Sequence, residues 1–335
     1  MSRDETQILK GVAILMMLWL HLFLNLDVAN GCINFLFINS VPFSHILTKT
    51  CRPVNIFLIL GGYGLYCVYL KGNDKRRYFR IFRLYVHYWI VFALFVPLVL
   101  FLSSKTINVH SISIVIKSLM AYNTTWNTPC WFLLPYSILS LSYPFLFRLL
   151  DKYDIKLTLI IIISIEILQS QCYVSYQSFF KNHSMLMLIN NIAGYVEPFI
   201  LGAILRKYYL VEKLKNTTKS FQWKSSVVLF ILIIIITLKC STSIFYLSIY
   251  EVSFIFLFLL VNRSKWLDDV LMFFGKHSMN MWMIHHMIYF YFSDLTYSPN
   301  YPILIWIGLI LMSLFSSCIV NLISKYIEKI VPIKC

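Results

Sequence analysis

Lys10 and His21 stand eleven residues apart in the apolar run from Ile8 to Phe23. At 100° per residue, eleven steps come to about 1100°, roughly 20° past three helical turns. On a helix the two basic side chains therefore share a face, about 16 Å apart along the axis. An ionisable group at that depth in hydrocarbon is costly and marks a functional site. A neutral imidazole there has two uses: taking a proton from a hydroxyl, or carrying an acyl group as a nucleophile. His285 lies nine residues past Lys276, and Glu197 nine residues before Arg206. Each is therefore about 14 Å from its charged end. Gly61 and Gly62 fall nine to ten residues before Lys71. The spacing thus predicts one layer holding His21, His285, Glu197 and a glycine pair, a set suited to proton transfer. Each also has a plainer use. A membrane histidine can bond across helices, Glu197 precedes Pro198 and can satisfy donors freed by a kink, and glycines suit helix packing. His286 is 100° from His285, so at most one of them faces a given site.

A second group is denser. Lys75, Arg76, Arg77, Arg80 and Arg83 put five cations into nine residues. Arg77 and Arg80, and Arg80 and Arg83, are three apart and share a helical face. Arginine forks suit phosphate oxygens; the same charges also serve orientation or lipid headgroups.

These residues need elements to hold them, and the composition says which. Hydrophobic residues make up 59% of 335 and charged residues only 13%, against about 25% charged in soluble domains. Apolar blocks of the length that crosses a bilayer recur. Ten spans are expected: 8–27, 53–71, 84–104, 129–148, 155–171, 186–205, 224–240, 244–262, 276–293 and 302–323. Residues 109–120 are short and amphipathic and should lie at the surface. No cleavable signal peptide is evident, so the first helix is expected to be an uncleaved anchor. With the N-terminus inside, 23 of the Lys and Arg residues fall in inner segments and 5 in outer ones. That asymmetry supports the span count and places both termini in the cytoplasm. The net charge of +15 then reflects topology and implies no nucleic-acid partner. The expected fold is an all-α, polytopic transmembrane helical bundle in a single domain over 1–335.

No span carries His, Cys, Asp or Glu at ligand spacing, so no metal is expected. The eight cysteines are scattered. Only Cys32 and Cys51, in one outer loop, are placed to form a disulfide.

Several blocks resemble one family. The run from Arg3 through Lys10 to His21 is similar to the opening helix of the membrane-bound acyltransferase family 3, where a basic residue precedes a histidine by ten intervening residues. Asn55-Ile-Phe-Leu-Ile-Leu-Gly-Gly resembles its second-helix motif, and Arg80-Ile-Phe-Arg its Arg-x-x-Arg. Cys130-Trp-Phe-Leu resembles the Trp-Phe-Leu that opens a later helix. Phe274-Gly-Lys-His-Ser through His285 resembles the late Gly-x-x-Ser…His segment. Lys10 stands where arginine is usual, Gly61 where serine is, and Val86 where proline often follows.

The resemblance implies a multi-pass cell-membrane O-acyltransferase that moves an acyl group, most often acetyl, from cytosolic acyl-CoA to a hydroxyl of an envelope carbohydrate. Acyl-CoA is then a donor substrate, and no tightly bound cofactor is implied. Arg77, Arg80 and Arg83 would hold the coenzyme A phosphates with Lys10 nearby. His21 would act as general base or acyl relay, and Glu197 or His285 would orient it or shuttle its proton. The expected partners are the bilayer, the two substrates, and either further copies of the chain or polysaccharide-assembly proteins. The rival reading is a proton-coupled transporter or flippase, which predicts inverted repeats that the sequence does not display.

Overall fold

The computed structural model describes residues 1–72, 76–109, 111–217, 227, 230, 231, 234 and 248–330. Among the described residues it is mostly helical, with one hairpin of two short strands in which Phe37 pairs with Pro42 and Ile38 with Val41. Among the described residues, seven helical segments are long and apolar enough to cross a membrane: Arg3–Phe23, Phe43–Tyr69, Arg77–Leu102, Thr128–Lys152, Ile155–Ser175, Ser184–Lys207 and Pro302–Lys329. Phe101 is 85% exposed, Phe315 69% and Leu322 67%, which suits side chains that face lipid. The protein is an all-α, multi-pass membrane protein.

The seven coincide with seven of the ten expected spans, with shifted ends. The first helix stops at Phe23 because the Asn25 side chain accepts from the Asp27 amide and opens a new short helix, Leu26–Asn30. The third begins at Arg77, so its arginines ride on its first turns. The expected span 224–240 lies outside the described residues, apart from four isolated positions. Of 244–262, residues 248–262 are described and hold the twelve-residue apolar helix Ile249–Leu260. The histidine-bearing span sits in a longer helix, Lys265–Tyr289.

The short helix Ile112–Leu119 occupies the amphipathic segment. A helix end leaves carbonyls without partners. Here Tyr88 Oη donates to Ser118 O (2.8 Å), Trp89 Nε1 to Leu119 O (3.0 Å) and Tyr85 Oη to Met120 O (3.1 Å).

The chain forms two compact units. One comprises Met1–Leu9, Arg52–Arg77 and Pro135–Asp268; the other comprises Lys10–Cys51, Tyr78–Leu134 and Asp269–Cys335. In the first unit, helices Pro53–Tyr69 and Ser184–Lys207 meet through glycines. A Cβ on Gly62 would collide with the Phe199 carbonyl, and one on Gly202 with the Ile59 carbonyl. Each glycine faces the partner's backbone, the close approach that membrane helices use for packing. The Gly61–Gly62 pair is therefore accounted for by packing, Gly61 lying against the Tyr136 ring. The Phe147 and Phe199 rings stack beside this crossing at 5.7 Å. At one end, Lys207 pairs with Asp151 (3.1 Å), the Met1 ammonium with Glu212, and Lys215 with Glu5.

The second unit has a matching crossing. A Cβ on Gly11 would collide with the Leu271 carbonyl and reach 3.2 Å from Gly275 N. The Arg3–Phe23 and Lys265–Tyr289 helices thus touch backbone to backbone at Gly11. Cys32 and Cys51 are both free thiols, bonded to Val28 O and Leu47 O respectively.

Candidate active site

His21 lies ten residues beyond Gly11, and His285 ten residues beyond Gly275. Two helices that touch at the glycines and run parallel carry both histidines to one level, about 15 Å further on. The structure shows this meeting. The His21 and His285 rings are 4.9 Å apart between centroids, inclined at 47°. Tyr289, one turn past His285, stacks at 6.2 Å from His21 and 5.9 Å from His285. It also meets His286 edge-on at 5.3 Å. One tyrosine ring therefore borders three imidazoles.

His285 is fully buried. Its Nδ1 lies 2.7 Å from Trp282 O and 3.2 Å from Met281 O. A carbonyl only accepts, so Nδ1 carries the proton and Nε2 presents a bare lone pair. That Nε2 is buried with no hydrogen-bond partner among the described residues. A buried lone pair left unmatched costs about 1–3 kcal/mol, so this atom awaits a donor. His286 is 4% exposed. Its ring packs on Phe290 at 4.9 Å and Tyr291 at 6.1 Å.

The other expected site residues divide between the two units. Lys10 is half-buried beside the Gly11 crossing. Arg80 and Arg83 belong to the unit that holds the histidines, Arg77 to the other. Arg83 makes a forked pair with Glu328, Nε to Oε1 at 2.9 Å and Nη2 to Oε2 at 3.4 Å. Glu197 belongs to the first unit. Its carboxylate accepts from the Ser248 amide (3.2 Å) and hydroxyl (2.7 Å). Ser248 is the residue that caps helix Ile249–Leu260, so the Glu197 carboxyl sits at a helix N-terminus. Next to it, Glu251 accepts from Asn55 Nδ2 at 3.2 Å.

Two features escape a reading by spacing. First, the segment Trp126–Phe132 is strapped along the histidine helix. Asn127 Nδ2 donates to Met283 O (2.6 Å), Trp282 Nε1 to Pro129 O (3.2 Å) and Tyr291 Oη to Trp126 O (3.0 Å). Phe132 packs edge-on against Trp282 at 5.5 Å. The Trp-Phe-Leu block signals this strap without disclosing what it holds. Second, a buried polar web ties three helices together. Asn280 Nδ2 donates to Asn321 Oδ1 (2.9 Å) and to Ser317 O (3.3 Å). Asn280 Oδ1 must then accept from His87 Nδ1 (2.8 Å), and His87 Nε2 from Ser324 Oγ (3.0 Å). His87 is one turn past Arg83, and Ser324 one turn before Glu328, so two rungs join antiparallel helices. Among the described residues, no group of three or more His, Cys, Asp or Glu is arranged to hold a metal.

A family model for an acyltransferase domain, acyltransferase family 3, matches residues 4–322. No curated protein matches the chain, and no solved structure does. The matched stretch runs from the first turn of the His21 helix past both histidine-bearing helices and the strap. Over that length the chain is a membrane acyltransferase and belongs to acyltransferase family 3.

Proposed function

We propose that the protein is an O-acetyltransferase of the cell membrane. It takes its acyl group from cytosolic acyl-CoA, most simply acetyl-CoA, and delivers it to a hydroxyl of an envelope carbohydrate. The observation that carries this reading is the His21–His285 pair, with the tautomer of His285 set by the carbonyls of its own helix.

The bare Nε2 of His285 is the natural acceptor for an N–H of His21. Held this way, His21 keeps its other nitrogen as a lone pair for substrate. That nitrogen takes the proton of the acceptor hydroxyl as its oxygen attacks the thioester carbonyl. The new C–O bond forms, the C–S bond breaks, and the proton passes from His21 to the departing thiolate. The products are an ester and free coenzyme A. While His21 carries the proton, His285 stabilises the imidazolium, as an orienting third group does in a nucleophile–base pair.

Arg80 and Arg83, with the charge of Lys10, are the proposed holders of the donor phosphates. With both termini inside, they lie at the cytosolic ends of their helices, and the pantetheine arm spans the depth to His21. Glu197 has a capping task and is given no step.

The direct test incubates membranes containing wild-type or His21→Ala protein with acetyl-labelled acetyl-CoA, then counts label in the glycan fraction. The expected result is a loss of at least about a hundredfold at unchanged protein abundance. Near-normal labelling by the variant would overturn the assignment.

A further inference from the structure

Asn127 has no exposed surface. Its Nδ2 is committed to Met283 O at 2.6 Å, yet its Oδ1 is buried with no hydrogen-bond partner among the described residues. A helical carbonyl lies beside the residues three and four further on. The amide bonded to Met283 O is therefore at the level of His286 and Met287. His286 is itself buried, and its Nδ1 likewise meets no hydrogen-bond partner among the described residues. Two unpaired polar atoms, one on the strap and one on the helical turn it grips, are a costly arrangement. Elsewhere in this region the strap satisfies its neighbours closely, bonding Trp282, Met283 and Tyr291. The fold thus positions Asn127 firmly while leaving its carbonyl oxygen to something outside the chain.

We infer that Asn127 Oδ1, flanked by His286, is the binding point for the acyl acceptor, taking a hydrogen bond from one of its hydroxyls. This inference rests on the proposed acyl transfer and adds the acceptor subsite to it. An amide oxygen accepts and cannot donate, so its ligand must bring an O–H or N–H. Two substrate groups have that chemistry: a sugar hydroxyl, and an amide N–H of the donor's pantetheine arm. Position favours the hydroxyl. The arginines lie in the first turns of their helix and Lys10 in the first half of its own, whereas Asn127 and His286 adjoin the far end of the histidine helix, with Tyr291 just beyond. The donor reaches His21 from one end, leaving the strap side for the acceptor. Asn127 then holds one hydroxyl of a polyol while a neighbouring hydroxyl gives its proton to His21 and its oxygen to the acyl carbon.

The test uses the full chain in membranes, with acetyl-CoA as donor and the membranes' own glycan as acceptor. Asn127→Leu keeps the shape without either polar atom. Asn127→Asp keeps a carbonyl oxygen and, when protonated, can donate its O–H to Met283 O. We expect Asn127→Leu to cut label transfer by about tenfold or more. Binding of acetyl-CoA to the purified variant should stay within about twofold, as should abundance. Asn127→Asp should recover most of the transfer. Unchanged transfer in Asn127→Leu would overturn the inference. So would equal losses of abundance and transfer, which mark a strap fastener only. A tenfold loss of acetyl-CoA affinity would overturn it in favour of the pantetheine amide. If membranes containing the wild-type protein transfer no more label than membranes lacking it, the underlying acyl-transfer reading fails, and it does so independently of either Asn127 variant.

Discussion

The rings of His21 and His285 stand 4.9 Å apart, at the same distance along the chain from the glycines where their helices touch. Both intervals are ten residues, from Gly11 and from Gly275. Parallel helices with equal intervals stay in register, so one close crossing sets the height of both imidazoles. The arrangement explains why a packing glycine and a chemical histidine recur together on each helix.

If His285 orients His21, removing its lone pair should slow the chemical step and spare donor binding. His285→Leu is expected to lower kcat by about ten- to a hundredfold, with the apparent KM for acetyl-CoA within about twofold. Steady-state kinetics on purified protein checks this. An unchanged kcat removes His285 from the mechanism.

The crossing itself can be broken without touching either histidine. Gly11→Val puts a branched side chain against the Leu271 carbonyl, and backbone on the facing helix cannot swing aside. Overpacking of this kind costs about 1–3 kcal/mol. The expected outcome is a lower melting temperature in detergent together with a large loss of acyl transfer. By contrast, Gly308 meets nothing within 4 Å of a built Cβ, and Gly308→Ala should leave both properties unchanged.

Arg83 already holds a carboxylate, Glu328. Both side chains are substantially exposed, so the pair adds little stability. A phosphate of the donor must displace that carboxylate or share the guanidinium with it. Glu328→Gln should therefore tighten coenzyme A binding by about two- to fivefold. Paired neutral changes at Arg80 and Arg83 should raise the donor KM. Equilibrium binding of coenzyme A to each variant is the measurement. Equal affinity in all of them would remove phosphate binding from these arginines.

A pH effect is expected at the Glu212 end of the first unit. Burial alone would push the Glu212 carboxyl up, but the hydrogen bond and charge of the Met1 ammonium, aided by the Tyr63 hydroxyl, hold it below the ordinary carboxylate value. A carboxyl lowered on folding stabilises the native state above its unfolded value, and this contribution fades as pH falls through the lowered native value. Wild type should thus melt higher than Glu212→Gln at neutral pH. The gap should close on acidification below the usual carboxylate range. Melting curves across pH check the sign.

The sequence by itself determined a great deal. Its apolar blocks and sparse charge dictate membrane helices, because a buried backbone in lipid must bond to itself. The eleven-residue interval puts Lys10 and His21 on one face, since helical geometry is local and periodic. Counting residues from charged ends also put His21 and His285 at similar depths. Depth, however, is one coordinate of three. Equal depth also grouped Glu197 with the histidines, and the structure gives that carboxylate to the N-terminus of helix Ile249–Leu260 through Ser248. Which helix lies beside which follows from contacts such as Gly11 on Leu271 and Gly62 on Phe199, made between residues far apart in the chain. The tautomer of His285, the strap that pins Asn127 to Met283, and the web joining His87, Asn280 and Ser324 all depend on that neighbourhood. A hydrogen bond needs two groups within about 3 Å of each other, and only the folded chain brings such distant residues together.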